Sequence, residues 1–249
     1  MSSMNHRVDP RVRLFHSQRF TLRSGLEPVL PRASGDSGFV AHLSACTRGA
    51  TGWDWSFRLV KAGTGWSFIS DGKLSVFVDE PGQYVPVDAK PSEQVALRLP
   101  RARENLYPHR FTLCGGQGPA VIGHGFTKVF LPVSFEQAPT LVEAFASRLG
   151  DQLRFSLSVA NSPQDFERAD SALIDVGAAD QGGVMRALES FALGHPAAFR
   201  LRGLPYGTRT GPLGLPVGQG VDRGDLCDGF GWRKAQDAVA AGDSEANLR

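Results

Sequence analysis

A chain of 249 residues that is 41% hydrophobic can build one α+β domain with a real core. No run approaches the ~18 consecutive apolar residues of a membrane-spanning helix. A net charge of +2 is too small to mark a nucleic-acid partner, and clusters of Lys and Arg interleaved with aromatics are missing. Cys46, Cys114 and Cys227 are widely spaced and form no CxxC pair, which argues against structural zinc and a disulfide framework and fits a reducing, cytoplasmic setting. Met1–Arg23 has no apolar h-region, so no secretory signal is expected there.

Residues 1–37 are polar, broken by Pro and Gly, and are expected to be disordered; residues 38–242 are expected to form one domain and 243–249 a tail. From Phe39 the pattern reads as strand. Trp55, Phe57 and Leu59 alternate with Ser56, Arg58 and Val60, and a Gly-Thr-Gly turn leads into Trp66-Ser67-Phe68-Ile69. Asp71-Gly72 is a hairpin turn before Leu74 to Val78. Val95, Leu97 and Leu99 form another alternating run, ended by Pro100, and Phe111-Thr112-Leu113 runs into Gly115-Gly116. The part spanning 38–120 therefore reads as an antiparallel sheet of short strands.

The part spanning 121–242 is α/β. A strand is predicted from Phe126 to Leu131, then a helix within 135–149 with Leu141, Phe145 and Leu149 on one stripe and Pro139 in its first turn. Leu153, Phe155, Leu157 and Val159 alternate with Arg154, Ser156 and Ser158, a half-buried strand. Ala172 to Val176 is a further strand, and Val184, Leu188 and Phe191 mark a helix. The order β-α-β-β-α predicts a sheet with helices on one face. Gly/Pro-rich chain follows to Gly231, then a short helix from Trp232 to Ala241.

Four stretches in this order carry a resemblance. They are 95–101 with Pro108-His109-Arg110-Phe111-Thr112-Leu113-Cys114-Gly115-Gly116; Lys128-Val129-Phe130-Leu131-Pro132-Val133; 153–161 with Arg168-Ala169-Asp170-Ser171-Ala172-Leu173; and 212–221 with Gly229-Phe230-Gly231-Trp232-Arg233. Over roughly 53–239 the chain resembles the HopA-type effector proteins of plant-pathogenic bacteria. It is also similar to their relatives in pathways making class V lanthipeptides and thioamide-containing ribosomal peptides. The resemblance implies a HopA-like α+β fold and a lyase that eliminates phosphate from phosphoserine or phosphothreonine. Such a lyase works beside a kinase of the aminoglycoside-phosphotransferase type on a precursor peptide. In pathogens the relatives are delivered into host cells and are better regarded as interaction proteins. The departures are Ser158 where the family strand carries Lys, Pro132 for Asn, Phe130 for Tyr, Gly229 for Ser and Arg101 for Lys.

Elimination needs a base for the Cα proton, cations for the departing phosphate and an acid for the leaving oxygen. Lys128, on a face with aromatics, is the candidate base, or else a strand Lys reaching solvent. His124, between two glycines, and His109, at a strand start, are the candidate acids. Arg110, Arg168 and Arg233 are the candidate phosphate forks, with Asp170 holding a neighbouring cation, or Arg168–Asp170 is a loop ion pair. No metal or cofactor is expected. The partners expected are a phosphorylated precursor peptide and a kinase, without nucleic acid or membrane. The alternative is a non-catalytic protein of the same fold that binds a kinase, a precursor peptide or a host protein. In either case an exposed sheet edge can take up an extended peptide by strand addition.

Overall fold

The computed structural model describes residues 36–219, except 73, 80–81, 108–109, 122–125, 148–149, 169 and 201–208, together with Ala240. The period-two runs become two antiparallel sheets. The first contains β1 (Thr51–Gly63), β2 (Trp66–Ser70), β3 (Ser75–Val78), β4 (Tyr84–Val85) and β5 (Gln94–Pro100), ordered β3-β2-β1-β5-β4. The second contains β6 (Ala102–Tyr107), β7 (Arg110–Cys114), β8 (Thr127–Leu131), β9 (Phe155–Ala160), β10 (Ala172–Val176), β11 (Arg209–Thr210) and β12 (Pro216–Gln219). Its order is β11-β12-β8-β10-β9-β7-β6, so β10 and β9 lie at its centre.

The helices are α1 (Ser37–Cys46), α2 (Ala138–Ala146, entered through a 3₁₀ turn at Phe135–Gln137) and α3 (Ala178–Gly194). Pro139 sits in the first turn of α2, where its missing N–H leaves no intrahelical bond unmade. Leu141 and Phe145 are buried on one stripe of α2, as are Val184, Leu188 and Phe191 on α3. These residues share one core with Phe111 and Leu113 of β7, Val129 and Leu131 of β8, Phe155, Leu157 and Val159 of β9, and Ala172, Ile174 and Val176 of β10. The fold is thus α+β, with helices packed on one face of the second sheet.

Three expectations are corrected. The segment from Phe39 is α1, not strand: Asp36 caps it by accepting from the Phe39 N–H at 3.0 Å, and the buried Phe39 and Leu43 are four residues apart, a helical spacing. β7, expected in the first sheet, belongs to the second, because it pairs with β9 (Phe111↔Val159, Leu113↔Leu157), and β6, which the sequence reading did not mark, pairs with β7 beside it. β9, expected half-buried, is buried along its whole length, since its polar residues lie on the opposite, covered face. The Gly/Pro-rich segment adds two strands: β12 pairs with β8, with Val217 opposite Val129 and Gly218 opposite Lys128. Residues 1–35 and the helix expected over 232–241 (Ala240 apart) lie outside the described residues.

Arg101, at the passage between the sheets, is 1% exposed. Its Nε donates to the Cys114 carbonyl (2.9 Å), its Nη2 to the Phe145 carbonyl (2.8 Å), and its Nη1 to the Ala146 carbonyl (3.0 Å) and to Asp151 Oδ1 (2.9 Å). The guanidinium therefore satisfies the last carbonyls of α2 and ties that helix end to β7. An ammonium cannot present the same fork. Arg101→Lys is expected to lower stability by about 2–3 kcal/mol in urea unfolding; a loss below about 0.5 kcal/mol contradicts this role. Beside it, Gly115 leaves no room for a side chain, since a Cβ there meets the Leu153 carbonyl oxygen at 2.1 Å.

Candidate functional site

Strand alternation sends every second residue of the second sheet away from the helices. Register aligns those residues into rows. Lys128, Asp175, Ser156 and Cys114 form one row; Phe130, Leu173, Ser158 and Thr112 form the next; Ala160 and Arg110 lie beyond. This polar face is itself covered: Ser156, Ser158, Asp175 and Leu173 are buried, and Thr112 is 0% exposed. The Thr112 hydroxyl has no hydrogen-bond partner among the described residues. Buried polar atoms are rarely left in that state.

Two charge groups occupy the face. At one end the Lys128 ammonium, on a side chain 12% exposed, is paired with the Asp175 carboxylate directly across the strand pair. It also lies 5.8 Å from the centre of the Phe126 ring. Lys128 thus does not reach into bulk solvent. At the other end Asp170, 1% exposed, is shared by two guanidiniums. Arg168 grips it with a fork, Nε to Oδ1 at 2.7 Å and Nη2 to Oδ2 at 2.9 Å. Arg110 Nη2 approaches Oδ2 at 3.4 Å and donates to the Asp170 carbonyl at 2.6 Å, while its Nη1 donates to the Ser158 carbonyl at 3.4 Å. The Arg168–Asp170 pair, read from sequence as a possible exposed loop bridge, is a buried one.

Burial opposes the charge on Arg168, but Asp170, through its charge and its hydrogen bonds, together with Asp165, outweighs it and holds the guanidinium above its ordinary pKa. Arg110 is pulled below its ordinary value, first by burial, which Asp170 counters, and also by the like charge of Arg168. Asp165 and Asp175 both support its charge. Arg110 therefore feels carboxylates from both ends of the face. Arg110 and Arg168 share a cluster with Asp170. Lys128 does not belong to that cluster: Asp170 and Asp175 are five residues apart on the β10 path, roughly 16 Å when extended. Candidates His109, His124 and Arg233 lie outside the described residues. Sequence reasoning missed Asp175 and Thr112. The signal for Asp175 was a lone carboxylate inside the apolar run Ala172 to Val176.

A half-open cavity of about 270 Å³ lies on the opposite face, lined by Thr127, Gln181, Met185, Arg209 and Val217 among others. It does not include the polar rows. Among the described residues no cluster of three His, Cys, Asp or Glu side chains could hold a metal, and no helix is long and apolar enough to cross a membrane.

Residues 101–242 match the family model described as the HopA1 effector protein family. The chain belongs to that family. As a HopA1-family protein it carries the whole polar face inside the matched segment, whereas the first sheet precedes it. No curated protein matches. Solved structures similar to the chain include two effector proteins of Pseudomonas syringae. The one from pathovar tomato strain DC3000 has 16% identity and a TM-score of 0.41, over 56% of each chain. The one from pathovar syringae strain 61 has 13% identity and a TM-score of 0.45, over 88% of this chain and 78% of that one. The HopA1-family chain thus spans little more than half the length of the first of these.

Within this family member the polar face also holds Cys114, whose thiol burial pushes up from 9.0 to about 11. A raised folded value means the folded state keeps a proton that the unfolded state releases. The stabilisation is then complete below about pH 9 and is lost as pH rises toward 11. A loss of about 2–3 kcal/mol over that window is expected, reduced in Cys114→Ala. Native Cys114 should also resist a thiol reagent at pH 8. Rapid labelling of Cys114 in the folded protein would contradict its burial.

Proposed function

We propose that this HopA1-family protein is a lyase that eliminates phosphate from phosphoserine or phosphothreonine in a peptide. It would act in the cytoplasm as the dehydrating partner of a kinase, in the assembly of a ribosomal peptide product. The observation that supports this reading is that one covered face of the sheet holds a cation at each end, Lys128 at one and the Arg110–Arg168 pair at the other. Lys128 pairs with Asp175, and Arg110, rooted on β7, feels both Asp175 and Asp170. The two cationic ends are separated by several times the length of one phosphoserine, so elimination here requires the Arg110–Arg168 end and Lys128 to close on a bound phosphorylated residue, with its Cα beside Lys128. In this reading Lys128 is the base that takes the Cα proton. The electron pair forms the Cα–Cβ double bond, the Cβ–O bond breaks, and phosphate leaves with that bond's electrons toward the guanidiniums. The leaving oxygen takes a proton from an acid, for which His109 and His124 are the candidates.

The test is incubation with a phosphoserine peptide and its phosphothreonine analogue. Mass spectrometry should show loss of phosphoric acid and a dehydro residue that adds a thiol. A second reading has its own support. Lys128, Arg110 and Arg168 each already face a carboxylate, and Ser158 cannot serve as base unaided. This reading makes the chain a binding protein for a kinase, a phosphorylated peptide or a host protein. Saturable phosphopeptide binding with no dehydro product decides for it and against elimination.

A further inference from the structure

Directly opposed residues of paired strands point to the same side of a sheet. The registers of the second sheet make one such row from strand to strand: Leu113, Leu157, Ile174, Val129, Val217 and then Arg209. The first five belong to the core under the helices, and the row ends on the edge strand β11 in a guanidinium. A cation on the helix-facing side of a sheet needs a reason, because that side is otherwise aliphatic.

The surroundings of Arg209 supply one. α3 covers this end of the row with Gln181 and Met185, and the half-open cavity of about 270 Å³ lies between the helix and the β11–β12 hairpin. The hairpin wall is held close to the floor, since a Cβ on Gly211 would meet Val217 Cγ2 at 2.3 Å. Thr127, 8% exposed, donates its hydroxyl to Gln181 Oε1 at 3.2 Å. The Gln181 amide nitrogen is then a donor with no partner among the described residues. Lys128, Arg101, Arg110 and Arg168 each face a carboxylate, whereas Arg209 forms no ion pair with a described residue. No carboxylate is among the described lining residues, and Asp180, next to Gln181 in the chain, is not part of the lining.

We propose that this cavity binds a small organic acid, one carboxylate on a branched aliphatic body. The carboxylate takes the Arg209 fork, with the Gln181 amide as a further donor. The body lies on Val217 and Met185, the buried apolar part of the lining. The volume holds about nine waters at ~30 Å³ each, which limits the ligand to roughly eight to ten non-hydrogen atoms. Inorganic phosphate is disfavoured, because a single cation beside an apolar floor leaves most of its charge unpaired. The proposal does not depend on elimination: the cavity is on the side of the sheet away from Lys128 and Arg110.

The test uses the full chain with isotope-labelled methionine methyl groups, followed by NMR. Of the three methionines, Met1 and Met4 precede the described residues and Met185 lines the cavity, so its signal, assigned with Met185→Leu, reports on the site. Titration with isocaproate should shift the Met185 signal saturably and leave the other two in place. Arg209 is exposed, so Arg209→Ala spares the core; it should weaken binding by about tenfold or more, the worth of a charge-assisted hydrogen bond. Gln181→Glu still accepts from Thr127 and should also weaken binding, by setting a carboxylate against the ligand. Arg209→Glu should reverse the preference toward isohexylamine. The proposal is overturned if isocaproate leaves the Met185 signal unmoved, or if Arg209→Ala binds it as the parent does. It is also overturned if isocaproamide or isohexylamine binds the parent equally well, or if inorganic phosphate at equal concentration displaces the acid. Tighter binding of a peptide ending in leucine than of isocaproate would assign the cavity to a chain end and overturn the free acid.

Discussion

Asp170→Asn is expected to lower the stability of the fold by about 3–5 kcal/mol, the cost of breaking a buried ion pair by removing one partner. The carboxylate is 1% exposed and is the common anion of Arg168, itself 6% exposed, and of Arg110. Neutralising it leaves two guanidiniums facing one another in a site with little water, with Asp165 and Asp175 as the remaining carboxylates that support Arg110. Urea unfolding followed by tryptophan fluorescence measures the loss. In the double variant with Arg168→Met, part of the loss should return, because the repulsion between the guanidiniums is gone. A change below about 1 kcal/mol, typical of an exposed pair, contradicts the burial of this cluster.

Lys128→Ala is expected to reduce dehydration of a phosphopeptide by about 10²–10⁴-fold, the usual contribution of a positioned base. The variant also strands the Asp175 carboxylate, so Lys128→Ala/Asp175→Ala serves as the stability control. Lys128→Arg separates charge from basicity: it keeps a cation beside Asp175 and should retain phosphopeptide binding while losing turnover, because a guanidinium does not surrender its proton. Single-turnover mass spectrometry reads the rate. A rate within about threefold of the parent in both Lys128 variants removes Lys128 from the proposed chemistry.

The fold was largely legible because its strands obey a strict period of two. Leu153 to Val159 showed the alternation that puts Leu157 under the helices and Ser158 on the polar face. Burial of that second face was not legible, since a polar residue in an alternating strand reads the same whether water or protein lies above it. The helix at Ser37–Cys46 was hidden by its short length and weak amphipathicity, and only Asp36 with Phe39 and Leu43 marked it. β12 was hidden because Pro216 and Gly218 read as loop, and pairing with β8 overrides that local preference.

The site was legible in residue type and only partly in grouping. Arg168-x-Asp170 stood out as a local motif, and Arg110 was singled out beside His109. That Arg110 meets Asp170 across 60 positions of chain is a consequence of β7 and β10 flanking β9, which no local pattern contains. Lys128 was chosen for its aromatic neighbours, and the Phe126 contact agrees. Its Asp175 partner required the β8–β10 register.

One feature of β10 constrains how this sequence can diverge. Asp175 points to the polar face while Ile174 and Val176 on either side of it lie under the helices. An odd-numbered indel between Asp170 and Asp175 would drive a carboxylate into hydrocarbon and turn two aliphatic residues onto the polar side. Point substitutions leave that parity intact. Drift in this part of the chain is therefore expected to proceed by exchange of side chains at constant spacing, with length changes confined to the connecting segments.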